Sequence, residues 1–153
     1  MSKIEAKLIE LGFPLPEVAK PVAAYVPSVV TGNICFTSGQ LPFVNGALPK
    51  AGKVGRDVTA EEAKDLARLC ALNALAALKL SIGDLDRVTR IVKVVGFVSV
   101  VPEFTAIPGV INGASEFLGE VFGEAGIHAR SAVGVPVLPL DSAVEVELIA
   151  EFK

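Results

Sequence analysis

The chain has 153 residues, 52% of them hydrophobic and 20% charged, a length that suits one domain burying roughly two-thirds of its unfolded surface. A formal net charge of −3, with Lys and Arg scattered along the chain, argues against nucleic-acid binding, which needs clustered positive charge. No uninterrupted apolar run is long enough to span a bilayer. An apolar composition in so small a domain points instead to apolar surface hidden between subunits.

Ser2 is placed to cap a first helix, with Ile4, Leu8 and Leu11 at helical spacing and Gly12 as its stop. This stretch is charged and amphipathic, unlike a signal peptide, so the expected location is the cytoplasm. Phe13 to Pro21, with three prolines, reads as an extended connector. Residues 1–20 thus form an N-terminal helix and Pro-rich connector within a single domain spanning 1–153.

Tyr25–Val30 and Ile34–Ser38 read as strands around Thr31-Gly32-Asn33, a hairpin turn signal. Gly39 to Gly55 is loop-like. Thr59-Ala60-Glu61-Glu62 has the form of a capping box opening the longest helix. Its stripe of Ala63, Leu66, Ala67, Cys70, Ala74, Leu75 and Leu78 runs to a stop near Gly83.

Val88–Val101 is β-branched and predicts a long strand, stopped by Pro102. A further helix is predicted from Pro108 to about Gly123, with Val110, Ala114, Phe117, Leu118 and Val121 on one face. Strands at Ala129–Val137 and Ala143–Phe152, joined around Leu138-Pro139-Leu140-Asp141, close the chain as a second hairpin. The order predicts an α+β fold: a mixed sheet with helices packed on one face.

No phosphate-loop, zincin, C-x-x-C or nucleophile-elbow motif occurs, and a lone histidine excludes a His-rich metal site. No metal and no cofactor is expected. Cys35 and Cys70 lie in apolar segments and read as buried free thiols of a reducing compartment.

Polar chemistry concentrates in the last two strands. Alternation puts His128, Arg130, Ala132 and Gly134 on one face, so Arg130 projects beside small side chains that leave room for a ligand. Its planar fork can grip a carboxylate through two parallel hydrogen bonds; a solvated or subunit-bridging arginine is the plainer alternative. Glu145 and Glu147 share a face of the final strand. A turn centred between Leu138 and Pro139 sets Glu145 opposite Ala132 on the face of Arg130, whereas a turn centred on Leu140 sets Arg130 against Ala150. Alternation leaves both registers open, and two ordinary solvent-facing glutamates are the plainer alternative. His128 could titrate near neutral pH, but a lone histidine is more often structural, and Ser38 has no evident base to activate it.

Gly32-Asn33-Ile34-Cys35-Phe36-Thr37-Ser38-Gly39-Gln40-Leu41-Pro42 resembles the G-N-x-x-x-T-S-G-Q-x-P segment of the RidA (YjgF-like) enamine/imine deaminases. Ala129-Arg130-Ser131, Leu138-Pro139 and Val144-Glu145-Val146-Glu147 resemble that family's C-terminal signature. The resemblance covers the chain from about Ala24 to its end and fits less well in the N-terminal helix and around Pro102 to Pro108.

It implies a chorismate-mutase-like homotrimer with ligand clefts between subunits. It also implies cofactor-independent hydrolysis of reactive 2-enamines and 2-imines, such as 2-aminoacrylate, to 2-keto acids and ammonia. By motif position, Arg130 resembles the carboxylate-binding arginine, and Glu145 the acid that positions or activates water. Tyr25, Ser38 and Asn112 match polar cleft positions, Gly39 a backbone contact, and Ala132 a position where the family often carries cysteine. If that position serves through its backbone carbonyl, alanine substitutes; if the thiol shapes specificity, the preferred imine differs. His128-Ala129-Arg130 replaces the commoner Pro-Ala-Arg. The rival functions are a non-catalytic protein that binds 2-keto acids for regulation, and a translation-inhibiting endoribonuclease, which the acidic balance disfavours.

Overall fold

The computed structural model describes residues 2–18, 20–21 and 24–153; Met1, Ala19, Val22 and Ala23 lie outside it, and with Ala19 one position of the expected connector. The first helix, α1 (Lys3–Glu10), starts on the Ser2 hydroxyl, which accepts from the Glu5 N–H at 3.0 Å. The Asp86 carboxylate takes two further orphan N–H groups, those of Lys3 and Ile4, at 2.9 Å each. Leu8 is fully buried, and beyond Gly12 (φ +84°) Phe13 packs edge-on against Phe117.

Strands β1 (Ser28–Thr31) and β2 (Ile34–Thr37) form the expected hairpin, with Gly32 at φ +58°. β1 starts three residues later than the sequence predicts, because Pro27 has no N–H to give to a ladder. α2 (Ala60–Ile82) is capped as expected: Thr59 Oγ1 accepts from Glu62 N–H, and Gly83 closes the helix at φ +85°. β3 (Val88–Ser99), α3 (Ile107–Phe122), β4 (Ala129–Val135) and β5 (Val144–Phe152) follow, each within two residues of its expected bounds.

The five strands lie in the order β1-β2-β5-β3-β4. Here the sequence expectation fails: β4 and β5 are not a hairpin. β4 runs parallel to β3, with Arg130 beside Val94, and β5 lies antiparallel between β2 and β3. Two physical causes stand out. The helix α3 between β3 and β4 is the crossover that parallel neighbours require. The connector to β5 carries Pro136 and Pro139, which cannot donate in a tight turn, and places Leu140 and Asp141 at φ +57° and +55°. The chain therefore steps across the end of β3 instead of folding back.

α2 and α3 cover one face of the sheet, where Val94, Val98, Val144, Val146, Leu148 and Ala150 are buried. Cys35 and Cys70, both free, lie in this core. Burial pushes the Cys70 thiol well up, as it does more mildly for Cys35. The opposite face is uncovered by any helix, and Val29, Phe36 and Val133 are exposed on it. None of the described helices is long and apolar enough to cross a membrane.

Candidate functional site

The candidate residues fall into two clusters. The first surrounds a cavity of about 480 Å³ on the uncovered side of the sheet, lined by Tyr25, Ser38, Gly39, Gln40 and Glu145. Lys20, Pro21, Pro27, Leu41, Phe43, Pro139 and Leu140 complete its walls. Local bonding explains why these segments converge. Ser38 donates its N–H to Pro27 O at 2.8 Å and its hydroxyl to Val26 O at 2.6 Å, which ties the end of β2 to the segment carrying Tyr25. Gln40 and Val146 exchange both backbone hydrogen bonds, at 2.8 and 3.0 Å, which draws Gly39 alongside β5.

Glu145 alternates with the core residues Val144 and Val146, so its side chain leaves the opposite face and enters the cavity. A Cβ at Gly39 would collide with the Glu145 carboxylate, so only glycine admits it there. Partial burial raises the Glu145 pKa above the usual glutamate range, and the like charge of Glu147 adds to the shift.

The second cluster lies across the sheet. Arg130 shares the helix-covered face with Val94 and reaches α3, where Nη1 donates to Asn112 Oδ1 at 2.7 Å and to Ser115 Oγ at 3.1 Å. Those bonds hold one terminal nitrogen; among the described residues no carboxylate pairs with the guanidinium. His128 accompanies it with a pKa lowered chiefly by burial.

On the side of Ala132 and Gly134 no ligand space is left beside Arg130, contrary to the sequence expectation. Ala132 packs against the core, and Ile107 and Val100 fill the room beside Gly134. Nor does either expected register hold. Glu145 pairs with Phe97 and not with Ala132, and Arg130 is separated from β5 by β3. Two strand spacings, roughly 10 Å, and the thickness of the sheet keep Arg130 and Glu145 apart within one chain.

Sequence reasoning missed Ser115, Gln40, Leu140 and Asn73. The last was visible as a polar residue inside an apolar stripe. Asn73 is buried on α2, and its amide donates to Leu41 O and Phe43 O at 3.0 and 3.1 Å, fixing a wall of the cavity. Among the described residues no group of His, Cys, Asp and Glu is arranged to hold a metal ion.

Fold and motifs together define a known class. The family model described as "YjgF/chorismate mutase-like, putative endoribonuclease" matches residues 5–152. The chain belongs to this family, the RidA/YjgF-like proteins. It is 43% identical over 150 residues to Protein TCP17 of Trypanosoma cruzi, covering 97% of this chain and 94% of that one. It is 36% identical over 129 residues to the 2-iminobutanoate/2-iminopropanoate deaminase of Escherichia coli, covering 84% and 88%. The crystal structure of the protein Atu1372 from Agrobacterium tumefaciens superposes with a TM-score of 0.91 at 46% identity, covering 98% of this chain and 92% of that one.

Proposed function

We propose that the protein hydrolyses reactive 2-enamines and 2-imines to 2-keto acids and ammonia without a cofactor, in sites built where two subunits meet. The observation that carries the reading is the half-buried Glu145 carboxylate, held against Gly39 in a cavity with Tyr25 and Ser38. A raised pKa makes the carboxylate a stronger base than a solvated glutamate, as a proton-transfer role requires. The relatives named as imine deaminases support the choice of substrate.

In this mechanism the enamine first tautomerises to the imine by protonation at carbon. Glu145 takes a proton from water as the water oxygen bonds to the protonated imine carbon. Glu145 returns that proton to the carbinolamine nitrogen and takes the hydroxyl proton as the C=O bond forms and the C–N bond breaks, releasing ammonia. Arg130, braced by Asn112 and Ser115, holds the substrate carboxylate through its remaining donors. Orientation carries most of the acceleration, because a protonated imine carbon is already electrophilic.

Arg130 and Glu145 lie on opposite sides of the sheet, so one subunit cannot bring both to one substrate. A second copy supplying Arg130 and Asn112 to the mouth of the cavity does so, and a closed homotrimer repeats that contact at every interface. The exposed Val29, Phe36 and Val133 on the uncovered sheet face fit burial between copies. The test generates 2-aminoacrylate with a dehydratase and follows ammonia release. Acceleration proportional to added protein is expected; release at the uncatalysed rate would remove the deaminase reading in favour of keto-acid binding.

A further inference from the structure

The cavity formed by one chain is larger than 2-aminoacrylate needs, and most of its wall is apolar. Around Glu145 stand Pro21, Leu41, Phe43, Pro139 and Leu140, enclosing about 480 Å³. That volume falls within the range of clefts that hold drug-sized ligands, roughly 300–1,000 Å³. A substrate with a single carbon beyond its imine centre would leave most of this apolar wall without a contact.

Leu140 supplies an independent sign that the apolar wall is built for a ligand. Leu140 is 66% exposed, although leucine gains stability by burial. Its backbone sits at φ +57°, ψ +23°, a left-handed conformation that bulky side chains rarely adopt. The loop enforces this conformation from outside: the Lys53 ammonium pairs with the Asp141 carboxylate at 3.0 Å, and Gly52 N–H donates to Asp141 O at 2.7 Å. An exposed leucine in a left-handed conformation at the rim of a cavity is the kind of outlier that points to a functional role.

We infer that the cavity selects 2-imino acids with a bulky apolar side chain, branched or aromatic, over three-carbon imines, with Phe43 and Leu140 as the selecting residues. The identity of the head group rests on the deaminase reading; the side-chain preference rests on the cavity alone. With the imine carbon beside Glu145 and the carboxylate on Arg130 of a second copy, the substrate's remaining substituent extends toward Phe43, Leu41 and Pro21.

The experiment generates imines in place with an amino-acid oxidase, from leucine and from alanine, and compares kcat/KM for their hydrolysis. Each methylene accommodated in an apolar pocket is worth about 10-fold or more, so the leucine-derived imine should be favoured by at least about 10-fold. Equal values, or preference for the alanine-derived imine, would overturn this inference and leave the deaminase reading standing. If neither imine is hydrolysed, the deaminase reading falls, and calorimetry with 4-methyl-2-oxopentanoate and pyruvate decides the cavity's preference. Tighter binding of the branched keto acid then supports the inference, and equal binding overturns it. Leu140→Gly, which suits the left-handed backbone and so keeps the fold, should shrink the preference several-fold without lowering the unfolding temperature. A ratio unchanged by Leu140→Gly would remove Leu140 from the selecting wall.

Discussion

The carboxylate of Glu145 occupies the place where a side chain at Gly39 would begin. A Cβ there would stand 2.9 Å from the Glu145 carboxyl carbon and still closer to Oε1. Gly39 has no left-handed backbone requirement, so Gly39→Ala should fold with near-normal thermal stability and yet push the carboxylate out of line. Misplacing a reacting group by about an ångström can cost about 100-fold. Imine-hydrolysis rate and melting temperature measured together check this: a normal rate in Gly39→Ala would mean that the carboxylate's position is unimportant.

Glu145 should also set the pH profile. Burial and Glu147 raise its pKa, so activity that needs the carboxylate form should fall, as pH drops, at a pH above the ordinary glutamate range. Glu147→Gln removes the second of these causes and should move the inflection down. The stability sign is opposite to the activity sign. A carboxyl whose folded-state pKa is raised contributes stability that is fully present below the unfolded pKa and is lost as pH rises through the folded one. Glu145→Gln should therefore melt slightly higher than wild type at neutral pH while losing about 100-fold or more in rate. Calorimetry across the pH range, paired with the rate assay, reads both.

Arg130 is predicted to act by geometry and not by charge alone. Arg130→Lys should fail nearly as badly as Arg130→Ala, because an ammonium cannot reproduce the fork. Loss of about 2–4 kcal/mol of transition-state binding corresponds to roughly 30- to 1,000-fold in rate. Oligomer mass measured by light scattering should be unchanged in both variants. Near-wild-type activity in Arg130→Ala, with the assembly intact, would place the anchor elsewhere.

A mixing experiment tests whether the site is shared between subunits. Arg130→Ala and Glu145→Gln chains are each expected to be inactive. Refolded together in equal amounts, they should form hybrid assemblies in which about one quarter of the interfaces join an intact Arg130 to an intact Glu145. Recovery of activity near that fraction supports the shared site. An inactive mixture whose hybrid assembly is verified by mass would show that one chain must supply both residues.

Asn73 is predicted to support the cavity from behind. Asn73→Ala leaves the Leu41 and Phe43 carbonyls without their donor, which should cost about 1–3 kcal/mol in urea unfolding. Because that loop forms a wall, KM should rise more than kcat falls. A variant that is less stable yet kinetically normal would confine Asn73 to a structural part.

Much of this was readable from residues alone, for a local reason. Caps, turn glycines and apolar periodicity act within a few residues, so the bounds of α2 from Thr59 to Gly83, the Gly32 turn and the strand of Val144 to Phe152 follow from neighbours in the chain. Alternation likewise places Glu145 opposite Val144 and Val146, and the two separated motifs mark the family. Strand pairing, by contrast, is a non-local choice. Pro136 and Pro139 argue against a tight turn between Arg130 and Glu145, but they do not place β3 between the two strands, because that depends on α3 carrying the chain across the sheet. Alternation assigns a face within one strand and is silent about which face of its neighbour it matches. The separation of Arg130 from Glu145 therefore emerged only in three dimensions, as did the crowding that reserves Gly39 and the loop contacts that hold Leu140 in its left-handed conformation.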